Sequence, residues 1–400
     1  MTVRITWTEA SARRLERQFL ATSAKPGVPA ADVVATMLGA HAQVLSAAEL
    51  SVGVRTEGTT RADVREALWQ DRSLVKTHGP RGTVHLLPTA ELPLWCAALP
   101  AVPTGSVFTP DVRVSEEQAE QIVAAIGDAL DGVCLTVDEL GEEVVARTGA
   151  WAGDLVMPAF QTLWPRWRQV LHRAGWAGAL CFGPNRGRKV TYTRPPHFDP
   201  LPADDAVRTL VRRYLRAYGP ATPAWFAKWL AAPGGWSSAL FGRMAQAGEI
   251  EEVDFEGTVA WVVAGDTEFP GGGGGTGAGA GGRDRVRGVR GVRGVRLLPY
   301  FDSYGIAAQP RELLFPGAAY QRALAGGQAG NFPLLLVDGV VAGVWHQRRR
   351  GRRTTVTVEP LRRLTARQLR ELGERVERVG EVLEAEAELV VGEVTVGPHA

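Results

Sequence analysis

The chain has 400 residues, 45% of them hydrophobic, and it contains 12 tryptophans. This composition excludes a disordered protein, and the length predicts two to four domains. The first twenty residues carry several arginines and glutamates, and no apolar run approaches the roughly 20 residues that span a bilayer. Three isolated cysteines, Cys96, Cys134 and Cys181, support neither a disulfide framework nor a zinc site. We therefore expect a cytoplasmic protein with no metal and no membrane partner.

The net charge of +2 hides an uneven distribution of charged side chains. Residues 101–150 hold ten acidic side chains against two arginines, whereas residues 160–200 hold seven basic side chains against one aspartate. Residues 271–360 hold thirteen arginines against five acids. Basic groups concentrated in this way favour a polyanionic partner bound along particular surfaces. The alternative is that arginine-rich codon usage produces some of these clusters by accident.

The first unit, residues 1–100, combines helices with a hairpin. Its apolar periodicity predicts helices near residues 8–21, 29–38, 46–53 and 60–71. Residues 74–87 then read as two extended runs on either side of a turn at residues 78–82.

A helix stop and a helix start lie close together in this unit. Gly39 follows a helical pattern and is typical of a C-terminal stop. The spacing Ser46-x-x-Glu49 is that of a capping box, which opens a new helix. The link between them, residues 40–45, is therefore predicted to be extended.

His41 and Gln43 lie two residues apart in this link. On a helix their side chains would point about 200° apart, but on an extended segment they face the same side. We expect them to converge on one point, and the pair is a candidate functional site. The alternative is a structural role for His41, because a single histidine among apolar residues is more often a hydrogen-bonded structural group.

Residues 101–200 predict a second unit of the same kind. A helix is expected near residues 115–130, and the spacing Thr136-x-x-Glu139 predicts a capping box that opens a helix to about residue 147. A longer amphipathic helix is predicted over residues 157–174, followed by a hairpin over residues 178–193. The large aromatics of this unit are expected in its core: Trp164, Trp167 and Trp176.

Residues 201–266 predict a third unit, with helices near 204–218, 222–231 and 237–247 and strands near 249–255 and 258–264. Three helices closed by a two-stranded hairpin are the winged-helix plan, in which the hairpin can contact the DNA backbone. The third hairpin is acidic, so we expect it to be structural. The predicted fold class is mainly α with small β elements (α+β), built from three tandem winged-helix units.

The rest of the chain predicts an insert and a C-terminal domain. Residues 267–296 are rich in glycine and arginine and are expected to form a flexible loop or linker. Residues 297–400 predict a β-barrel-like domain, in which Asp338-Gly339 is a two-residue hairpin turn. Its elements are strands near 294–299, 333–337, 340–346, 353–358 and 388–396, with a helix near 365–386.

Three groups of polar residues are candidate DNA contacts. The first is Arg81 in the turn of the first hairpin, beside His85. The second and third lie in the second hairpin and in a turn of the C-terminal domain, and they consist of Asn185, Arg186, Arg188 and Lys189, and of Arg348, Arg349, Arg350, Arg352 and Arg353. The alternative for every group is a solvated or hydrogen-bonded surface role.

Several stretches together resemble the AlkZ-like winged-helix DNA glycosylases (the HTH_42 superfamily). The matching pieces are residues 38–43 with their helical continuation to Arg55, 81–86 (RGTVHL), 298–304 (LPYFDSY), 340–346 (VVAGVWH) and 354–358 (TTVTV). The resemblance covers nearly the whole chain apart from the glycine-rich insert. Asp302 in the third piece has aromatic neighbours and is expected to be a structural hydrogen-bonding residue.

The resemblance implies that His41-Ala42-Gln43 is the catalytic centre, in the His-apolar-Gln variant of the family motif. It also implies a monofunctional glycosylase that hydrolyses the N-glycosidic bond of N7-alkylguanine in double-stranded DNA, including bulky or cross-linked adducts, without a cofactor. Related enzymes carry an acidic residue where this chain has Gln43. The glutamine points to the branch tied to resistance against DNA-alkylating natural products.

The chemistry can also be argued from the residues. An N7-alkylated guanine is cationic and already a good leaving group, so an enzyme needs only to position a water at C1′ and stabilise the sugar cation. An imidazole with a pKa near ~6.5 can accept a proton from that water, and the Gln43 amide can hold it. The nearest lysines in sequence are Lys25 and Lys76, which disfavours a Schiff-base lyase. The alternatives are a non-catalytic winged-helix regulator or damage sensor and a drug-sequestering protein; a monomer is expected.

Overall fold

A computed structural model describes residues 2–105, 108–159, 162–270, 292–324 and 326–397 of the chain. In these ranges sixteen strands form five sheets beside the helices. The protein is therefore mixed α/β, and the predicted α+β class holds in this coarse form with more strand than the small β elements that were expected. The flexible insert predicted over residues 267–296 falls mostly outside the described residues. Within the described residues no helix has the length and apolar character needed to cross a membrane.

The N-terminal region contains the predicted helices and hairpin. A three-stranded sheet in the order β2-β4-β3 packs against its helices. The elements are β1 (Val3–Ile5), α1 (Trp7–Arg17), α2 (Ala30–Thr36), β2 (Ala40–His41), α3 (Leu45–Gly53), α4 (Arg61–Trp69), β3 (Leu74–His78), β4 (Val84–Pro88) and α5 (Leu92–Ala98). Residues 80–82 form a 3₁₀ turn between the two hairpin strands.

The capping box predicted at Ser46 is wrong. Helix α3 begins at Leu45 after Val44, whose extended backbone makes no side-chain cap. Glu49 is fully buried and pairs with Arg65 at 2.6 Å instead of reaching back to the helix start. A buried carboxylate needs a partner charge, and this cross-helix pair supplies it.

The first residues of the chain do not join the first predicted unit. Strand β1 pairs in parallel with β10 (Ile250–Phe255), far along the chain. The Arg14 guanidinium of α1 is buried and donates to the carbonyls of Gly219, Pro220 and Gln309. Residues 3–17 therefore tie the third and C-terminal regions together, a role that their local pattern does not indicate.

The second region forms a three-stranded sheet in the order β5-β9-β8 and a separate two-stranded hairpin, β6–β7. Thr136 and Glu139 make the predicted capping box at the start of α7. The elements are α6 (Glu116–Ala129), β5 (Leu135–Thr136), α7 (Val137–Thr148), β6 (Leu155–Ala159), β7 (Thr162–Pro165), α8 (Leu171–Trp176), β8 (Cys181–Arg186) and β9 (Lys189–Thr193).

The long helix predicted over residues 157–174 is wrong. Its span is occupied by β6, β7, a 3₁₀ segment and the start of the six-residue helix α8. Pro165 explains the difference, because it would lie in the helix interior and lacks the backbone N–H needed there. Trp167 and Trp176 are buried as predicted, whereas Trp164 is half-buried beneath the Arg168 guanidinium.

The third region follows its prediction closely. Three helices precede an acidic hairpin, and β1 completes its sheet in the order β1-β10-β11. Helix α9 packs its apolar face against α5 in a core that joins the first and third regions. The remaining elements are α9 (Ala203–Tyr218), α10 (Pro223–Leu230), α11 (Gly234–Gln246) and β11 (Thr258–Val263).

The C-terminal region is a five-stranded sheet curled into a half-barrel, in the order β12-β13-β14-β15-β16. Asp338 and Gly339 both have positive φ, as a two-residue hairpin turn requires. Helix α15 lies between this sheet and α3. The elements are β12 (Val295–Leu298), α12 (Ser303–Ala307), α13 (Arg311–Leu314), α14 (Ala318–Ala323), β13 (Leu334–Val337), β14 (Val340–Arg350), β15 (Arg353–Pro360), α15 (Ala366–Leu383) and β16 (Glu386–Val391).

Candidate active site

Gly39 ends the helical run and redirects the chain, as predicted. Its φ is +94°, and its N–H donates to the Val34 carbonyl. The positive φ favours glycine here, and a Cβ would also lie 2.8 Å from Leu87 Cδ2 and force that side chain to shift. The turn delivers the next residues to the edge of β4.

Strand β2 places His41 on one face of the first sheet. His41 lies opposite His85 of β4, and His85 lies opposite Thr77 of β3. Paired residues of antiparallel strands point to the same face, so these three side chains form one row. The adjacent row, on the other face, consists of Ala40, Leu86 and Lys76.

The extended link is shorter than predicted. The Ala42 N–H still bonds to the Val84 carbonyl at 2.7 Å, but Gln43 lies in a bend and α3 begins at Leu45. His41 is buried, whereas Gln43 is exposed. The convergence of the two side chains on one point stays a prediction.

Two rings hold the His41 imidazole. The Phe301 ring is stacked on it with centroids 4.6 Å apart and an angle of 26°, and His85 meets it edge-on at 5.0 Å. His41 is 8% exposed, and its Nδ1 is buried without a hydrogen-bond partner among the described residues. Burial, with a smaller contribution from Arg81, lowers the pKa of His41 from 6.5 to about 4. The expected pKa near ~6.5 is therefore wrong, and the neutral imidazole is a weaker base than predicted.

His85 lies in the middle of this row, between His41 and Thr77. It is buried, and its Nδ1–H donates to the Thr83 carbonyl at 2.9 Å, which fixes the tautomer. A Cβ at position 79 would lie 2.7 Å from His85 Nδ1, so Gly79 leaves the space that the imidazole fills. Burial, followed by the neighbouring His41, holds the pKa of His85 well below 6.5.

Residues 300–303 of the C-terminal region bind the chain on both sides of His41. The Ser303 hydroxyl donates to the Gly39 carbonyl at 2.7 Å. Asp302 accepts two bonds from the Arg55 guanidinium, at 2.7 and 2.8 Å, in a fully buried ion pair just after the end of α3. The Ser51 hydroxyl completes the set at 2.9 Å from Asp302. Asp302 is thus the structural hydrogen-bonding residue that the sequence predicts.

Comparison with known proteins identifies the family. A family model described as DNA glycosylase AlkZ-like matches residues 34–382. The chain belongs to the AlkZ-like family. The interstrand DNA cross-link repair glycosylase of Streptomyces sahachiroi is 32% identical over 356 residues, which are 86% of this chain and 88% of that protein. The solved structure of S. sahachiroi DNA glycosylase AlkZ matches this chain with a TM-score of 0.74 and 28% sequence identity. The match covers 97% of this chain and 100% of the AlkZ chain.

Membership of the AlkZ-like family makes the protein an enzyme, a DNA glycosylase that acts in DNA repair. The prediction of a catalytic protein is confirmed, and neither a non-catalytic regulator nor a drug-sequestering protein is supported.

The predicted DNA-contact residues of this AlkZ-like glycosylase lie in different environments. Arg81 is mostly buried, and its guanidinium donates to the Trp229 carbonyl at 2.5 Å. Its backbone has φ 62°, in the left-handed region, at the turn of the first hairpin. These contacts favour the alternative that Arg81 is structural, while a direct DNA contact stays untested.

The second and third groups are exposed. At the second hairpin Arg186 pairs with Glu139 and Lys189 with Asp138, both at the start of α7. Asn185 near the end of β8 and Arg188 in the turn are also exposed. In the C-terminal region the arginines extend beyond the predicted turn onto the ends of two long strands, and Arg353 pairs with Glu386. This basic hairpin end carries Arg348, Arg349, Arg350, Arg352 and Arg353.

No local pattern in the sequence predicts the contact between Phe301 and His41. Phe301 lies in the LPYFDSY piece, and its aromatic neighbours were the one available signal. In the described part of the chain no cluster of three or more His, Cys, Asp or Glu side chains is arranged to hold a metal ion.

Proposed function

We propose that this DNA glycosylase hydrolyses the N-glycosidic bond of N7-alkylguanine, with His41 and Gln43 holding the water that attacks the sugar. The observation that supports the proposal most is the environment of His41. The His41 imidazole is held between two rings at the start of the family motif, and its buried Nδ1 has no hydrogen-bond partner among the residues that the structure describes.

The reaction that we propose is a direct displacement by water. The water oxygen forms a bond to C1′ as the bond from C1′ to N9 of the base breaks. The electron pair of that bond neutralises the cationic ring of the alkylated guanine. The water proton passes to the His41 imidazole, while the exposed Gln43 amide positions the water. The products are the free base and an abasic site.

The lowered pKa of His41 fits a cationic substrate. An imidazole with a pKa of about 4 is neutral at pH 7, so it does not repel the positive charge of the alkylated base or of the developing sugar cation. Such a group is a weak base in water. As positive charge develops on the sugar, the attacking water becomes more acidic, and a weak, well-oriented base is sufficient.

The position of Lys76 supports hydrolysis over a Schiff-base lyase. Lys76 shares its row with Ala40 and Leu86, on the face of the sheet opposite to His41. Its ammonium lies 4.7 Å from the centre of the Phe182 ring. Lys25, the other lysine near the motif in sequence, is exposed.

For DNA recognition we propose that the three helix-and-hairpin regions are tandem winged helices, with boundaries near residues 100, 200 and 266 and a C-terminal domain from about residue 297. The exposed second hairpin and the basic hairpin end would neutralise phosphates of a duplex. Since the S. sahachiroi relative is named for interstrand cross-link repair, we propose that bulky or cross-linked N7 adducts are substrates here too, in self-resistance or repair. The protein would act as a monomer on the cytoplasmic nucleoid.

One assay tests the chemistry. The protein is incubated with a duplex that contains 7-methylguanine or a bulky N7 adduct, and abasic sites are then cleaved with alkali. We expect scission with the wild type and a loss of at least about a hundredfold in single-turnover rate for His41→Ala and Gln43→Ala. The matched controls are His197→Ala and Gln121→Ala, which change exposed side chains remote in sequence from the motif. Full activity of His41→Ala would refute the assignment, and duplex binding without base release from any N7 adduct would refute the substrate class.

A further inference from the structure

The imidazole of His41 contacts a side chain that lies 260 residues away in the chain. The Phe301 ring is nearly parallel to it at 4.6 Å, while His85 meets it from another side. A ring confined on two sides cannot rotate freely about its Cβ–Cγ bond. The direction of its two nitrogen atoms is therefore set by its neighbours as well as by its own strand.

The backbone of Phe301 adopts an unfavourable conformation to make this contact. Its φ is 56°, in the left-handed region, which a bulky side chain rarely occupies. Its N–H donates to the Gly330 carbonyl at 3.1 Å, and the ring packs so closely on Gly330 that a Cβ there would lie 3.1 Å from it. Conformations of this kind persist where the surroundings determine them, and they concentrate at functional sites.

The residues that follow Phe301 fix it to the same strand that carries His41. Ser303 binds the carbonyl of Gly39, two residues before the histidine. Asp302 binds Arg55, two residues after the end of α3, the helix that follows the motif. The position of the Phe301 ring relative to His41 is thus defined by contacts on both sides of the motif.

We propose that Phe301 is a positioning residue for His41, which orients the imidazole toward the reacting water from a separate region of the fold. The inference rests on the proposed role of His41. Phe301 takes no part in proton transfer. Its flat ring excludes water from one face of the imidazole and leaves the ring edge as the route to substrate.

The test compares an aliphatic with an aromatic replacement. Phe301→Leu keeps an apolar side chain but removes the flat surface, whereas Phe301→Tyr keeps it. We expect Phe301→Leu to lower the single-turnover rate about tenfold to a hundredfold with duplex Kd unchanged, and Phe301→Tyr to restore most of the rate. The control is Phe315→Leu, which removes a fully buried ring of the same region.

A second measurement follows the imidazole itself. Besides burial, Arg81 is the charged group that lowers the pKa of His41, and the titratable ring of His85 contacts the His41 ring. With both unchanged, nuclear magnetic resonance of labelled histidine in Phe301→Leu should show the pKa of His41 rising toward 6.5, because water then reaches the ring. Phe315→Leu should leave that pKa unchanged.

The outcomes separate the two proposals. If His41→Ala is inactive while Phe301→Leu retains the wild-type rate, Phe301 does not position His41. If Phe301→Leu and Phe315→Leu lose rate to the same extent, the ring is merely structural and the inference is overturned. If His41→Ala is fully active, the site proposal fails first.

Discussion

The first and second hairpins have the same plan and opposite environments. In the first, β3–β4, most side chains are buried, and Arg81 at its turn donates to a backbone carbonyl. In the second, β8–β9, the side chains of residues 184–189 are all exposed. The first hairpin supports the strand of His41, and the second presents cations to solvent. A hairpin that follows three helices is therefore not enough to predict a DNA contact. A buried turn indicates a structural hairpin, whereas an exposed turn is available to bind DNA.

The largest effect is expected from Leu86→Ala in the first hairpin. Leu86 is fully buried beside Ala40, and its loss should reduce the free energy of unfolding by about 2–5 kcal/mol. Val190→Ala in the half-buried part of the second hairpin is the control, with a loss of about 1 kcal/mol. Urea unfolding measures both. An equal or larger loss for Val190→Ala would contradict the contrast between the hairpins.

An intermediate effect is expected from the arginine at each turn. Arg81→Ala should lower the free energy of unfolding by about 1.5–3 kcal/mol, because it removes a charged hydrogen bond to the Trp229 carbonyl. Arg188→Ala should leave stability within about 0.5 kcal/mol and reduce the slope of log K against log salt by about 0.9. Chemical unfolding and duplex titrations at several salt concentrations measure the two quantities. A reduced salt slope for Arg81→Ala would assign Arg81 to the DNA surface.

The smallest effect is expected from pH. Because burial lowers the pKa of His41 to about 4, the imidazole stays neutral as the pH falls from 8 to about 5.5. The value of kcat/KM, which reports the free enzyme, should be constant over that range for an N7-methylguanine duplex. An exposed histidine would instead lose half of its neutral form near pH ~6.5. An inflection of kcat/KM near that pH would mean that the first hairpin does not shield His41 from water.

Much of the fold could be predicted because many of its helix ends and turns depend on residues that are close together in the sequence. The capping box at Thr136, the Asp338-Gly339 turn and the stop at Gly39 each depend on residues only a few positions apart. The helix predicted over residues 157–174 fails for a local reason too, since Pro165 lies in its interior. Apolar periodicity predicts a helix there, but it does not register the N–H group that a proline lacks.

The site itself was only half predictable. The motif position follows from residues 38–43, but the state of His41 depends on partners remote in sequence. Its lowered pKa comes from burial, and the ring stacked on it comes from Phe301. Glu49 shows the same limit: the spacing of a capping box was present, yet the carboxylate pairs with Arg65 of the next helix. Tertiary contacts of this kind leave no local pattern.

The contacts of residues 300–303 with the motif also bear on how the enzyme is made. His41 and Phe301 are 260 residues apart, and ribosomes add about 5–20 residues per second. A growing chain therefore carries His41 for on the order of ten seconds or more before it contains Phe301, Asp302 and Ser303. Until then the strand lacks its stacked ring and the bonds to Gly39 and Arg55. The site is completed late in synthesis, and a chain that ends early lacks these contacts.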